Sequence, residues 1–104
     1  MDAKLKAEWI AALRSGEYRQ GLNYLHDSER NTFCCLGVLC RVAGVSIDDI
    51  RDVISTDTPC LDSGIDKEMR SYLGDTLNDG QGKTFSEIAD YIESEIPADA
   101  KGAA

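Results

Sequence analysis

FCCLGVLCRVA, residues 33–43, is apolar almost all the way round. A helix without a polar face belongs at the centre of a fold, so the expected architecture is a set of helices gathered around this one. Thr32 is placed to cap its start. Gly44 is placed to end it, with Val45 supplying the hydrophobic contact that accompanies a Schellman-type stop. The same segment carries Cys34, Cys35 and Cys40, while Cys60 stands apart.

Working outward, residues 3–15 predict a first helix. Asp2 caps it, Leu5, Trp9, Ala12 and Leu13 share one face, and Gly16 lies just past the end. Residues 17–31 (EYRQGLNYLHDSERN) lack a helical period. Alternation of Leu22 and Tyr24 ahead of the polar 26–31 turn suggests a short hairpin or an ordered loop near residues 20–33. Ser46 and Asp49 have the form of a capping box for a short amphipathic helix that would point Ile47, Ile50, Val53 and Ile54 inward. Residues 55–64 read as a loop. A further helix is expected over 65–73, with Ile65, Met69, Tyr72 and Leu73 inward and Gly74 closing it. Thr84 and Glu87 form a second capping box, ahead of a last helix carrying Phe85, Ile88, Ala89, Ile92 and Ile96 that Pro97 ends. The expected fold class is therefore mainly α: a compact bundle of about four to five short helices around a central buried one, with a small β-hairpin. Residues 1–97 form one globular domain and 98–104 a flexible tail.

The chain has 104 residues and a formal net charge of −8. The charge is uneven. Residues 1–44 hold five acids against six bases, and residues 45–104 hold fourteen against five. Such a surface repels phosphate backbones and favours basic partners. No apolar run approaches the length of a membrane span, and the N-terminal residues alternate in charge instead of leading into a secretory segment. A cytoplasmic protein with reduced thiols is the expectation.

Several motifs test a chemical role. Cys34, Cys35, Cys40, Cys60 and the single His26 contain no Cys-x2-Cys knuckle, and adjacent helical residues point about 100° apart, so a shared zinc is disfavoured. Cys34 and Cys35 lie where a helix dipole lowers a thiol pKa, with His26 upstream, but no oxyanion donor accompanies them. Gly82-Lys83-Thr84 resembles the end of a phosphate-binding loop that fails at its start, where the first glycine would be Leu77. An EF-hand register through Gly80 puts Leu77 and Ser86 at ligand positions. Residues 36–54 have the outline of a helix-turn-helix, yet the second helix offers Asp48, Asp49 and Asp52 against a single Arg51. A DNA-binding regulator would then have to draw its affinity from Lys4, Lys6, Arg14 or Arg19. Tyr18 and Arg19, just after the first helix, are placed either to close the core or to form a recognition patch.

Three blocks, WIAALRSGEYRQG at 9–21, FCCLGVLC at 33–40 and LNDGQGKTFSEIADYIE at 77–93, resemble small uncharacterised proteins encoded by bacteriophages and prophages. They cover a little over a third of the chain, and the resemblance implies an origin without assigning catalytic residues. With the acidic C-terminal portion it favours a phage-type accessory protein in the host cytoplasm. Such a protein would act by binding and not as an enzyme, with no cofactor and no metal. Its expected partner is a basic host protein surface, as in an anti-CRISPR-like or other anti-defence inhibitor. The residues expected to meet that partner are Asp48, Asp49, Asp52, Glu87, Asp90 and Glu93, with Tyr18 and Arg19. The alternatives are the helix-turn-helix regulator and a small metal- or thiol-dependent protein.

Overall fold

Asp2 opens the first helix, α1 (Ala3–Ser15), its carboxylate accepting from Leu5 N–H at 2.8 Å, and Gly16 closes it in the left-handed conformation at φ 80°. Only a residue without a Cβ takes that conformation at little cost, which is why the helix stops there. The computed structural model describes residues 1–54 and 65–97. The loop read at 55–64, Cys60 and the tail at 98–104 lie outside the described residues.

After α1 the chain runs irregularly, with isolated bridges at Gln20 and Tyr24, into a minimal hairpin, β1 (His26–Asp27) paired antiparallel with β2 (Thr32–Phe33). Helix α2 (Cys35–Val42) follows, then the single turn α3 (Ile47–Ile50). Beyond residues 55–64 come α4 (Lys67–Ser71), a π-helical segment (Tyr72–Gly80) and α5 (Phe85–Glu95). The architecture is mainly α with one small hairpin, and α2 is its centre. Cys35, Leu36, Val38, Leu39 and Cys40 are all buried, inside a cluster that also takes in Trp9 and Leu13 from α1, Leu73 and Leu77 from the π segment, and Ile88 and Ile92 from α5. Each Leu or Ile so buried contributes about 1.5–3 kcal/mol of transfer free energy.

The stop of α2 is a Schellman motif: Val45 N–H reaches Cys40 O at 2.9 Å, Gly44 N–H reaches Arg41 O at 3.1 Å, and Gly44 has φ 92°. Its start departs from the sequence reading. Thr32 does not cap it; Cys34 holds the cap position, its side chain not capping the helix, and Thr32 and Phe33 are strand. Phe33 N–H donates to Arg19 O and Phe33 O accepts from Gly21 N–H, both at 2.8 Å, so pairing with the 19–21 segment claims the backbone that a longer helix would use.

The amphipathic helix expected through Ile54 likewise ends after one turn. Arg51 bridges to His26, Asp52 turns left-handed at φ 55°, and Ile54 bridges to Tyr24 and stays 46% exposed. Ser46 Oγ accepts from Asp48 N–H, not from Asp49 N–H as a full capping box requires. The helix expected over 65–73 is capped by Asp66, and Gly74 does not end it. Gly74 sits buried within the π segment, whose wider turn brings Leu73, Leu77 and Asn78 inward together and closes with Gln81 N–H on Thr76 O at 2.8 Å. The Thr84–Glu87 capping box forms as read, with both reciprocal bonds present. No helix among the described residues is long and apolar enough to cross a membrane.

Candidate functional site

The segment between α1 and β1 has no secondary structure of its own, yet it is held at every few residues. Gln20 donates through Nε2 to Asn78 Oδ1 (2.9 Å) and Lys83 O (2.6 Å), and accepts at Oε1 from Phe85 N–H (3.0 Å). Asn78, fully buried, donates to Gly21 O at 2.9 Å. Gly21 lies on Thr32, where a Cβ would stand 2.1 Å from the threonine hydroxyl. Asn23 takes φ 73° and donates its N–H to Asp79 Oδ1 at 3.0 Å. Leu25 is wholly buried and donates its N–H to Val53 O at 2.7 Å. Residues of the three blocks noted in the sequence thus meet one another: Gln20 and Gly21 bind Asn78, and Trp9 Nε1–H donates to Cys35 O at 3.0 Å in the core.

Along this fixed segment Leu25 is buried while Leu22 (49% exposed) and Tyr24 (36%) stay at the surface, and the Tyr24–Ile54 bridge adds Ile54 beside Tyr24. Three large apolar side chains in contact with water form one face. A cavity of about 650 Å³ opens next to it, lined among others by Arg19, Leu22, Tyr24, Asp27, Arg30 and Thr32. A second, of about 330 Å³, shares Tyr24, Asp27 and Arg30 and adds Ser28 and Asp52.

The charges around these cavities are organised. Burial works to raise the Asp27 carboxyl, but hydrogen bonds from the Arg30 guanidinium (3.1 Å) and the N–H groups of Arg30 and Glu29 outweigh it, and the net direction is downward. Asp52 accepts from Ser28 N–H at 2.9 Å and from its hydroxyl at 2.7 Å, which hold that carboxyl below its ordinary value as well. Arg19 projects from the surface, and its guanidinium has no partner among the described residues. Two side-chain polar atoms buried at the hairpin, His26 Nδ1 and Thr32 Oγ1, also lack one.

The acidic residues singled out in the sequence fall into two groups. Asp48 and Asp49 ride on α3, Asp48 paired with Arg51, and Asp52 reaches the second cavity. Glu87 closes the α5 capping box, and its carboxyl is held low first by the Thr84 N–H and then by the Thr84 hydroxyl. Asp90 and Glu93 converge on Arg14 of α1 at 2.7 and 3.3 Å, beside a groove of about 360 Å³ that includes Ala7 and Ile10. Five of these six carboxylates therefore hold structural bonds, and Asp49 is the one without a partner among the described residues. Tyr18 is half buried and packs edge-on against Phe33 at 5.2 Å, a core-closing placement, whereas Arg19 faces the larger cavity.

Leu22, Tyr24, Arg30 and Ile54 were not among the residues expected to meet a partner. The spacing of the first two was read as hairpin alternation, but Asn23 between them is left-handed, so their exposure follows from the fold and not from a strand period. Ile54 was read as core because the helix was continued too far.

The thiols are placed against nucleophilic chemistry. Cys34, Cys35 and Cys40 are buried and free of disulfides. Burial pushes Cys35 well above the ordinary thiol value and Cys40 up to about 12. Among the described residues no group of His, Cys, Asp and Glu is arranged to hold a metal. At four residues α3 is also too short to lie along a DNA groove as a recognition helix.

A family model described as a domain of unknown function (DUF8296) matches residues 1–49, from α1 through the hairpin and α2 into α3. No curated protein and no solved structure matches the chain.

Proposed function

We propose that this protein acts by binding another protein: a small acidic phage-type accessory factor, working in the host bacterial cytoplasm, that occupies a basic surface of a host defence component and inhibits it. The observation that carries this reading is the exposed Leu22–Tyr24–Ile54 face beside a cavity with Arg19 and Arg30. Tyrosine and arginine next to an apolar patch are the chemistry of interface hot spots. Asp52 lines the second cavity together with Tyr24, and Asp48 and Asp49 precede it on α3, so acids that steer a basic partner join the side chains that dock it. The phage resemblance of the three blocks supports the origin and the host setting. Asp90, Glu93 and Glu87 add to the long-range field, because one Arg14 offsets only one of the two carboxylates it holds.

Affinity capture from bacterial lysate with mass spectrometry tests this. The wild type is compared with Tyr24→Ala and with the double variant Asp48→Asn, Asp49→Asn. A basic protein should be retained by the wild type and released as salt rises. Tyr24→Ala should weaken its binding by about 2 kcal/mol, some thirtyfold, the size of an interface anchor. The double variant should slow association with little effect on dissociation. Equal recovery of the same partner by all three proteins would refute the proposal.

A further inference from the structure

We propose that the 650 Å³ cavity beside Arg19 receives a single carboxylate, an acidic side chain flanked by apolar residues on the docking segment of the partner protein. The assignment rests on the protein-binding reading above and names what that face recognises.

Charge balance leads to it. The cavity is lined by two guanidiniums, Arg19 and Arg30, and by one carboxylate, Asp27. Asp27 and Arg30 are tied together at 3.1 Å, and the Asp27 carboxylate is further occupied by two backbone N–H groups. One positive charge, that of Arg19, is left over. A planar guanidinium matches a carboxylate through two parallel N–H···O bonds. A monoanion closes the count. A phosphate monoester would bring a second negative charge next to Asp27, in a chain already at −8. Nucleic acid, a polyanion, is disfavoured by the net charge of −8.

The walls supply the rest. Leu22 and Tyr24 flank the opening with exposed apolar surface, which suits an acidic residue carried between apolar neighbours. Thr32, 5% exposed, forms part of the wall, and its hydroxyl has no partner among the described residues. A volume of this size is in the range that encloses a small-molecule-sized group.

The test uses the full-length isotope-labelled chain and three capped probes: acetyl-Leu-Glu-Leu-amide, its glutamine counterpart and its phosphoserine counterpart, with phenylacetate as a free monocarboxylate. Binding is read from backbone amide and arginine side-chain NMR shifts. The glutamate peptide should give saturable shifts confined to residues 19–24 and 30–32, and bind at least about tenfold more tightly than the glutamine peptide. Arg19→Gln should erase that preference while Lys67→Gln, a charge change on α4, keeps it. Because the Arg19 side chain has no partner among the described residues, the variant should keep the native amide spectrum elsewhere. Equal binding of the glutamate and glutamine peptides would overturn the proposal, as would an intact preference in Arg19→Gln. Tighter binding of the phosphoserine peptide would do the same, and binding of phenylacetate alone would transfer the site to a small metabolite. No partner protein is needed, so failure here with salt-sensitive capture intact removes the cavity assignment alone. Carboxylate-selective binding with no captured partner removes the protein-binding reading instead.

Discussion

Gly37 shows how one atom can override a propensity rule. In a helix interior, glycine to alanine normally gains close to ~1 kcal/mol. Here a Cβ on Gly37 would stand 1.8 Å from Leu25 O, a backbone atom pinned by its own neighbours. Gly37→Ala should therefore destabilise the fold by about 2–3 kcal/mol, read as a lower urea midpoint, and a midpoint equal to or above wild type would show that the 22–25 segment is not seated on α2. The same scale governs the thiols. With Cys35 and Cys40 held protonated by burial, Cys34, Cys35 and Cys40 should resist alkylation in the native protein at about pH 8, where an ordinary thiol is partly ionised. They should label readily once unfolded. Mass-mapped labelling of any of the three under native conditions would contradict the buried placement. Asn78 completes the set: truncation to alanine removes the Asn78 donor from Gly21 O and one of the two acceptors of Gln20 Nε2, at a cost of about 2 kcal/mol, measurable by the same denaturation.

At the scale of elements, the described carboxylates do local work. Thr84→Ala removes half of a reciprocal cap and should cost about 1 kcal/mol. Asp27, Asp52 and Glu87 all titrate below their ordinary values in the folded protein. A carboxyl whose folded value is depressed contributes fully above its unfolded pKa, about 3.9–4.3, and the contribution disappears as pH falls through the lower folded value. The hairpin and the α5 cap should therefore loosen on acidification below about pH 4. Stability measured between about pH 5 and 2.5 should fall less steeply in the double variant Asp52→Asn, Glu87→Gln than in the wild type. An identical slope would assign the acid sensitivity elsewhere.

Across the whole molecule, the excess of acids is carried by a fold whose long-range ion pairs, among the described residues, are exposed. Arg14 links α1 to Asp90 and Glu93 of α5 with more than half of both carboxylate side chains in solvent. Exposed pairs are weak and screened by salt. Arg14→Gln should lower the melting temperature slightly at low ionic strength, because it leaves two neighbouring carboxylates uncompensated, and the difference should shrink toward zero as salt is added. A loss that salt does not diminish would mean that Arg14 acts through packing of its stem against the Ala7–Ile10 groove.

What the sequence determined by itself was whatever depends on neighbours in the chain. The span and caps of α1, the Schellman stop at Gly44 and the α5 capping box follow from side chains within a few residues of the backbone groups they satisfy. The central position of α2 follows from its having no polar face. Tertiary structure decided the places where two segments compete for one backbone. Phe33 is strand because Arg19 and Gly21 reach it, and α3 stops at Ile50 because His26 and Ser28 capture Arg51 and Asp52. Leu73 to Asn78 winds as a π-helix that seats Asn78 on Gly21. The candidate site belongs to this second kind. Arg19 was visible in the chain, but Leu22, Tyr24, Arg30 and Ile54 meet only after residues distant in sequence have fixed an irregular segment whose own backbone bonds specify no conformation.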